Sequence, residues 1–403
     1  MQTALFAVEV TSRNSGRRGI LTAWTIWLML AAGAIVGGLF NVLWISCVRN
    51  QAQNCATSAA LSAGHRYLSD DMLRGWQQPF EYEGRVARCR KAAIEMVEHS
   101  RTGTTLPPIS DEQVDVLWGD DQTASKDPSL LVPEKIVVSF DRRDAPHSIA
   151  SFFAGLAGNR ATGLGVSAAV CLEHAPAGFQ PSSMASVPML PFSICDDVLP
   201  AKDGQTPATA GYWTANIESG KGRDQFSWDP ETHTFQAGPD GLPELKVSIY
   251  AATSGSGPDA FIPLCFRKVS STASGPAIAG WIKRGLKLDD LDTFGIDKIT
   301  FPGTLPTASL SIQDQASCIS ALQMKIGEPC IVCLSSMEGS ENGAGTLKLK
   351  RPVALRIVQV QQNASKMVGL ILQPCVMVTS TAVTSTAAGI ASNRYVYSIR
   401  LTQ

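Results

Sequence analysis

The chain has 403 residues, a formal net charge of −1 and only 17% charged side chains. That length allows one anchored domain or two modest ones, and the scattered Lys and Arg argue against a nucleic-acid partner, which would need clustered cations for phosphate. Ten cysteines without regular spacing exclude a disulfide-scaffolded mini-domain.

The N-terminal 18 residues carry Arg13, Arg17 and Arg18 and read as a basic cytoplasmic segment. Residues 19–48 contain no charged side chain. As a helix they would rise about 43 Å, enough to cross a hydrocarbon core of about 30 Å with tilt to spare. Trp24, Trp27 and Trp44 lie towards the two ends, where indoles favour the headgroup level. Arg49 is the only nearby cation on the far side, so the positive-inside bias places the N-terminus in the cytoplasm and the rest outside. A cleaved signal peptide would have a shorter apolar run and a small-residue site after it, and Cys47-Val48-Arg49-Asn50 is a poor one. A buried core helix would rarely be apolar on every face for so long. The reading is therefore an uncleaved, single-pass inner-membrane anchor. Gly33-x-x-x-Gly37 within it is a candidate helix-packing face, and Asn41 is a polar group in an apolar span that would seek a partner across helices.

Beyond Arg49 the chain stays helix-forming, and Ala52, Ala56, Ala59, Ala60 and Ala63 recur at three- and four-residue steps. The anchor is expected to continue outward as one long helix. Its alanine face fits either a partner or this protein's own next helix, which the pattern predicts over residues 84–100. A turn is expected at 75–79. After residue 102 short β-like runs follow: 114–118, 135–140, 167–172, 226–228, 245–251, 260–266, 330–334, 353–360, 367–378 and 395–401. One more helix fits 148–158. Residues 201–222 read as a loop between a first part (49–200) and a β-rich second part (223–403), and 378–392 as a low-complexity loop. The fold class is α+β: a transmembrane helix continuing into a polar helix, then a β-rich mixed extracytoplasmic domain.

Catalytic patterns are missing. The five histidines form no H-x-x-x-H pair, and there is no G-x-S-x-G, Walker-type loop or strand-borne G-x-G-x-x-G. Cys330 and Cys333 make a C-x-x-C inside an apolar, β-branched run, where residues three apart face opposite sides of a strand. They read as buried strand cysteines rather than a redox or metal pair. Asp196-Asp197 and Asp289-Asp290 read as loop acids ahead of a divalent-ion site, and Asn363-Ala364-Ser365 is a glycosylation-type triplet that arises often by chance. The chain is expected to be a non-enzyme with no cofactor or metal.

The basic start Arg17-Arg18-Gly19, the apolar helix, and the ending Gln53-Asn54-Cys55-Ala56-Thr57-Ser58-Ala59-Ala60-Leu61-Ser62 together resemble the bacterial TadE/TadG-like family of tight-adherence (Flp-type) pilus loci. Asn41 stands at that family's Asp position, and Arg49 matches its basic residue before the Gln-Asn pair. Later segments are similar to the TadG-related branch: Trp118-Gly119, the run from Phe152 to Gly158, Val187-Pro188-Met189-Leu190-Pro191-Phe192, Ile326-Gly327-Glu328-Pro329 and Leu372-Gln373-Pro374. The resemblance implies a structural factor of pilus assembly whose partners are other pilus-assembly membrane proteins or pilins, and it leaves a homo-oligomer open. Beside the packing role read for Gly33 and Gly37 from their spacing, it points to interaction roles for Asn41, Arg49, Gln53, Asn54, Ala56, Ala59, Ala60 and Leu61. Trp24 stands where pilin-like members keep a Glu, so prepilin-type processing is not expected. Thr57 replaces the family's Asp. No Asp-x-Ser-x-Ser triplet occurs, so the metal-binding domain of some relatives does not carry over. The rival reading is an anchored extracytoplasmic domain that binds a ligand or polysaccharide independently of pili.

Overall fold

A computed structural model describes residues 15–74, 82–100, 109–118, 132–142, 149–150, 161–197, 210–249, 259–266, 275–308, 312–336, 346–362, 368–385 and 393–402. Helix α1 runs unbroken over Ser15–Tyr67, 53 residues. No proline interrupts it, and alanine, leucine and other good helix formers fill its length. From Thr22 onward it is long and apolar enough to cross a membrane. Residues 24–43 present their large apolar side chains outward on most sides, with Trp24 71% and Met29 75% exposed. A surface of that kind has no stable place in water.

The outer part of α1 is core. Ala52, Ala56, Ala59, Ala60 and Ala63 are all fully buried. They lie between α2 (Tyr82–Ser100) and a five-stranded sheet. α2 runs back along α1: Ser62 Oγ meets the Ala92 carbonyl at 3.4 Å and Arg88 bonds Asp71 at 3.0 Å. Its contact line Arg85, Cys89, Ala93 and Val97 repeats every four residues, so two narrow faces meet closely.

The five-stranded sheet has the order Val114–Leu117, Lys135–Arg142, Leu164–Glu173, Val396–Thr402, Met377–Val378, antiparallel except for the last pair. A second, seven-stranded sheet runs Leu245–Ile249, Val368–Pro374, Thr346–Gln362, Pro329–Ser336, Met189–Cys195, Phe261–Pro263, with Gly303–Pro306 pairing Thr346–Gln362 as well. Helices Gly275–Arg284 and Ile312–Gln323 pack on each other, the first also against Met189–Cys195 and the second against Thr346–Gln362. The chain passes from the second sheet to the first between Pro374 and Met377.

The expected α+β class and the continuation of the apolar helix as one long helix hold, and strands occupy parts of all ten expected runs. Several expectations change. Both sheets take strands from either side of residues 201–222, so that stretch does not divide two cores. Part of it, Thr214–Glu218, is a helical turn over buried Ile217. Ile149–Ala150, within the helix expected at 148–158, pairs as strand with Ala161–Thr162, and the rest of that run lies outside the described residues. The expected turn at 75–79 and the triplet Asn363-Ala364-Ser365 lie outside them too. Met189–Cys195 is fully buried between two partner strands although Pro191 argues against a central strand. Its parallel pairing with Pro329–Ser336 shifts register between Ile331 and Cys333, opposite that proline, which accommodates the missing N–H.

Candidate functional site

The residues proposed for interaction fall along one helix but in three different settings. Gly33 is exposed, and a Cβ built there would meet nothing within 4 Å. Gly37 is buried and Asn41 half-buried. Arg49 and Asn54 are exposed, as is Gln53, whose Nε2 donates to the Ser167 carbonyl at 2.9 Å. Leu61 is half-buried against the core. Ala56, Ala59 and Ala60 have no exposed surface. For these three alanines the own-chain alternative wins: the close-packing face is taken by α2 and the sheet, and no partner can reach it without unfolding the domain. What stays accessible is the apolar circumference of residues 24–43 apart from Gly37 and part of Asn41, with a polar collar at Arg49 and Asn54.

Where α1 ends, a charged cluster ties it to both sheets. Asp70, in the turn Asp70–Met72, accepts from the Arg356 guanidinium at 2.5 Å and from the Val376 backbone N–H at 2.7 Å. Arg356 stacks over Trp228 at 4.7 Å. Asp240 accepts from the Trp228 N–H, the Leu242 N–H and Gln373 Nε2, and Arg74 reaches it at 3.5 Å. Burial raises the Asp240 carboxyl above its ordinary range, against the pull of those donors and of Arg74. Glu244 is raised by burial too, while its carboxylate holds the Gln225 and Phe226 N–H groups at 2.8–3.1 Å. These contacts hold residues 224–244 onto the Val368–Pro374 strand and the end of α1, although Arg74 Nε, Arg356 Nε and Gln373 Oε1 are buried without a hydrogen-bond partner. Nothing local in the sequence announces them, because Asp70 and Arg356 are 286 residues apart.

The residues that hinted at chemistry also serve the fold. Cys330 and Cys333 lie in the Pro329–Ser336 strand, as expected, and burial pushes both thiols up to about 12. Thiols held that high are neutral and poor nucleophiles at physiological pH. None of the ten cysteines is in a disulfide. Asp196 accepts from the Thr214 N–H at 3.1 Å and its hydroxyl at 3.0 Å, while Asp197 pairs with Lys350 at 3.1 Å. Asp290 takes two bonds from Arg284 at 2.6 and 2.8 Å, one from Trp281 Nε1 and one from the Lys287 N–H. Burial would raise its carboxyl, and those four donors win, leaving it lowered. Asp196-Asp197 lies in a loop as expected, just past Cys195, but Asp196 is buried, whereas Asp289-Asp290 opens the helix Leu288–Phe294. Among the described residues no three His, Cys, Asp or Glu side chains gather as metal ligands.

Compared with family models, curated proteins and solved structures, the chain matches none.

Proposed function

We propose that this protein is a membrane-anchored, non-enzymatic structural or assembly factor, of the kind the TadG-like resemblance implies for a tight-adherence pilus. One observation carries the reading: a single helix is apolar and outward-facing over residues 24–43 and becomes the core of the outer domain from Val48 onward. A tether would need no such continuity. A rigid strut does, because force or position at the membrane is then passed directly to two sheets. Arg13, Arg17 and Arg18 put the N-terminus in the cytoplasm and the domain outside. The partner surface is the accessible part of the helix, where small Gly33 lets another helix approach closely and Arg49 and Asn54 ring the exit.

The test has two readouts on the full chain. A periplasm-active reporter fused after Gln403 should be active, and carbonate washing should leave the protein in the membrane. Replacing residues 22–43 with an unrelated apolar helix should keep both properties yet lose co-purification of pilus-locus membrane proteins and surface adherence. If the swapped protein recovers its partners and restores adherence, the span is only a tether and the contacts lie in the outer domain. If residues 22–43 are dispensable and the purified protein retains a polysaccharide, the rival reading of an anchored binding domain takes over.

A further inference from the structure

Arg85 is a buried charge that its surroundings do not neutralise. It is 5% exposed on α2, its Nε has no hydrogen-bond partner, and no carboxylate among the described residues pairs with it. What it faces is the Tyr67 ring, 5.6 Å from its Cζ. Taking a guanidinium out of water is costly, and one aromatic face returns only a fraction of that cost. Its neighbours deepen the imbalance. Arg88 places Nη1 3.7 Å from a Cβ built on Gly84, over the opening turn of α2, while its Nη2 bonds Asp71 at 3.0 Å. Asp71 also pairs with Arg74, so one carboxylate answers two cations there. Burial, and after it Tyr67, raise the Tyr397 phenol, while Arg394 and Arg85 pull against them, so both guanidinium charges reach that buried ring.

The same corner supplies hydrogen-bond donors. Side chains of a helix lean towards its N-terminus, which carries the Arg85 and Arg88 guanidinium groups over the opening turn of α2. In that turn the N–H groups of Glu83 and Gly84 have no carbonyl within the helix to bond, and they form the positive end of its dipole. Gly84 is exposed, and so is the acid of the turn, Glu83. Ser69 precedes the turn Asp70–Met72 without capping it, and its Oγ is buried with no partner. Ser62 meets Ala92 where the two helices cross. Ser69 lies seven residues beyond Ser62 and Arg85 seven before Ala92, so the antiparallel pair brings Ser69 level with Arg85.

We propose that the corner where α1 ends and α2 begins binds one small oxyanion of the phosphate or sulfate kind, held by Arg85, Arg88, Ser69 Oγ and the Glu83 and Gly84 N–H groups. The anion offsets the buried charge and fixes the start of α2 against the end of α1. Helix α1 carries this corner about 29 Å beyond Val48, out of reach of a lipid headgroup, so the anion comes from solution. The site stands apart from the partner surface on residues 24–43. In the experiment the detergent-solubilised full chain is dialysed to equilibrium against labelled inorganic phosphate in chloride buffer of fixed ionic strength. Its melting temperature is followed across the same titration. The wild type should take up about one phosphate per chain, with sulfate competing, and should melt several degrees higher as the site fills. Ser69→Ala removes one donor and should weaken uptake severalfold, and Arg85→Met should weaken it about tenfold or more. Should Arg85→Met fail to fold, the wild type against Ser69→Ala decides by the same measure. Wild-type uptake that does not saturate overturns the site, and so does saturable uptake that the folded variants leave unchanged.

Discussion

Arg356 and Asp70 are 11% and 16% exposed at the side chain and bond at 2.5 Å across 286 residues of sequence. Replacing Arg356 by Met strands the Asp70 charge and removes the cation from the Trp228 face. Breaking a pair this buried costs about 3–5 kcal/mol, more than an exposed pair could. Denaturant unfolding of the solubilised full chain should show a loss of that size for Arg356→Met, whereas Lys91→Met, whose partner Glu95 lies at 3.7 Å on an exposed face, should change little. The thiols predict a pH effect. Cys89, Cys330 and Cys333 have folded values raised to about 12 from 9.0. The unfolded chain therefore ionises first, so stability is unaffected below pH 9 and falls as pH rises towards 12. Cys330→Ala with Cys333→Ala should flatten the fall in melting temperature between pH 8 and 11, with the rest left to the other raised thiols such as Cys89 and Cys375. An unchanged slope would place the alkaline weakness elsewhere.

At the scale of the element, α1 is two devices in one helix. Its outer half is dense with alanine because it lies between a helix and a sheet, where only a small side chain fits on both sides. Ala60→Leu should therefore cost about 1–3 kcal/mol through overpacking, seen as a lower melting temperature of the solubilised protein. Loss of partners in that variant would report a damaged domain and not a missing contact. Substitutions on the span have no such side effect: Leu39→Ala or Leu43→Ala touches exposed side chains, and the melting temperature should hold. The same division explains why the exchange that tests the partner surface must stop at residue 43.

For the whole molecule the decisive feature is interleaving. The last strand, Val396–Thr402, sits inside the first sheet between Leu164–Glu173 and Met377–Val378. Asn393 ties the turn before it to the second sheet, its Nδ2 donating to the Pro352 carbonyl at 2.6 Å. Ending the chain at residue 392 should expose the Leu164–Glu173 edge and release α1 from part of its packing. Limited proteolysis should then cut the sheet-rich domain rapidly while the apolar half of α1 resists. A truncated protein as resistant as the full chain would show that the two sheets fold without their closing strand.

The sequence by itself determined the features that depend on near neighbours. An uncharged run of this length dictates a membrane-competent helix, three- and four-residue alanine steps dictate a narrow packing face, and β-branched runs dictate strands such as Lys135–Arg142 and Pro329–Ser336. The alanine period could say that a close neighbour exists; it could not say whose. Only the tertiary structure decided that the neighbour of Ala56, Ala59 and Ala60 is this chain's own α2 and sheet, while Arg49 and Asn54 stay in the open. It also decided that Asp70 finds Arg356, that Met189–Cys195 is a central strand despite Pro191, and that Gly275–Arg284 is a helix in a stretch beginning Gly-Pro. Those outcomes rest on contacts between residues far apart in the chain, whose free energy appears only when burial removes water from both partners at once.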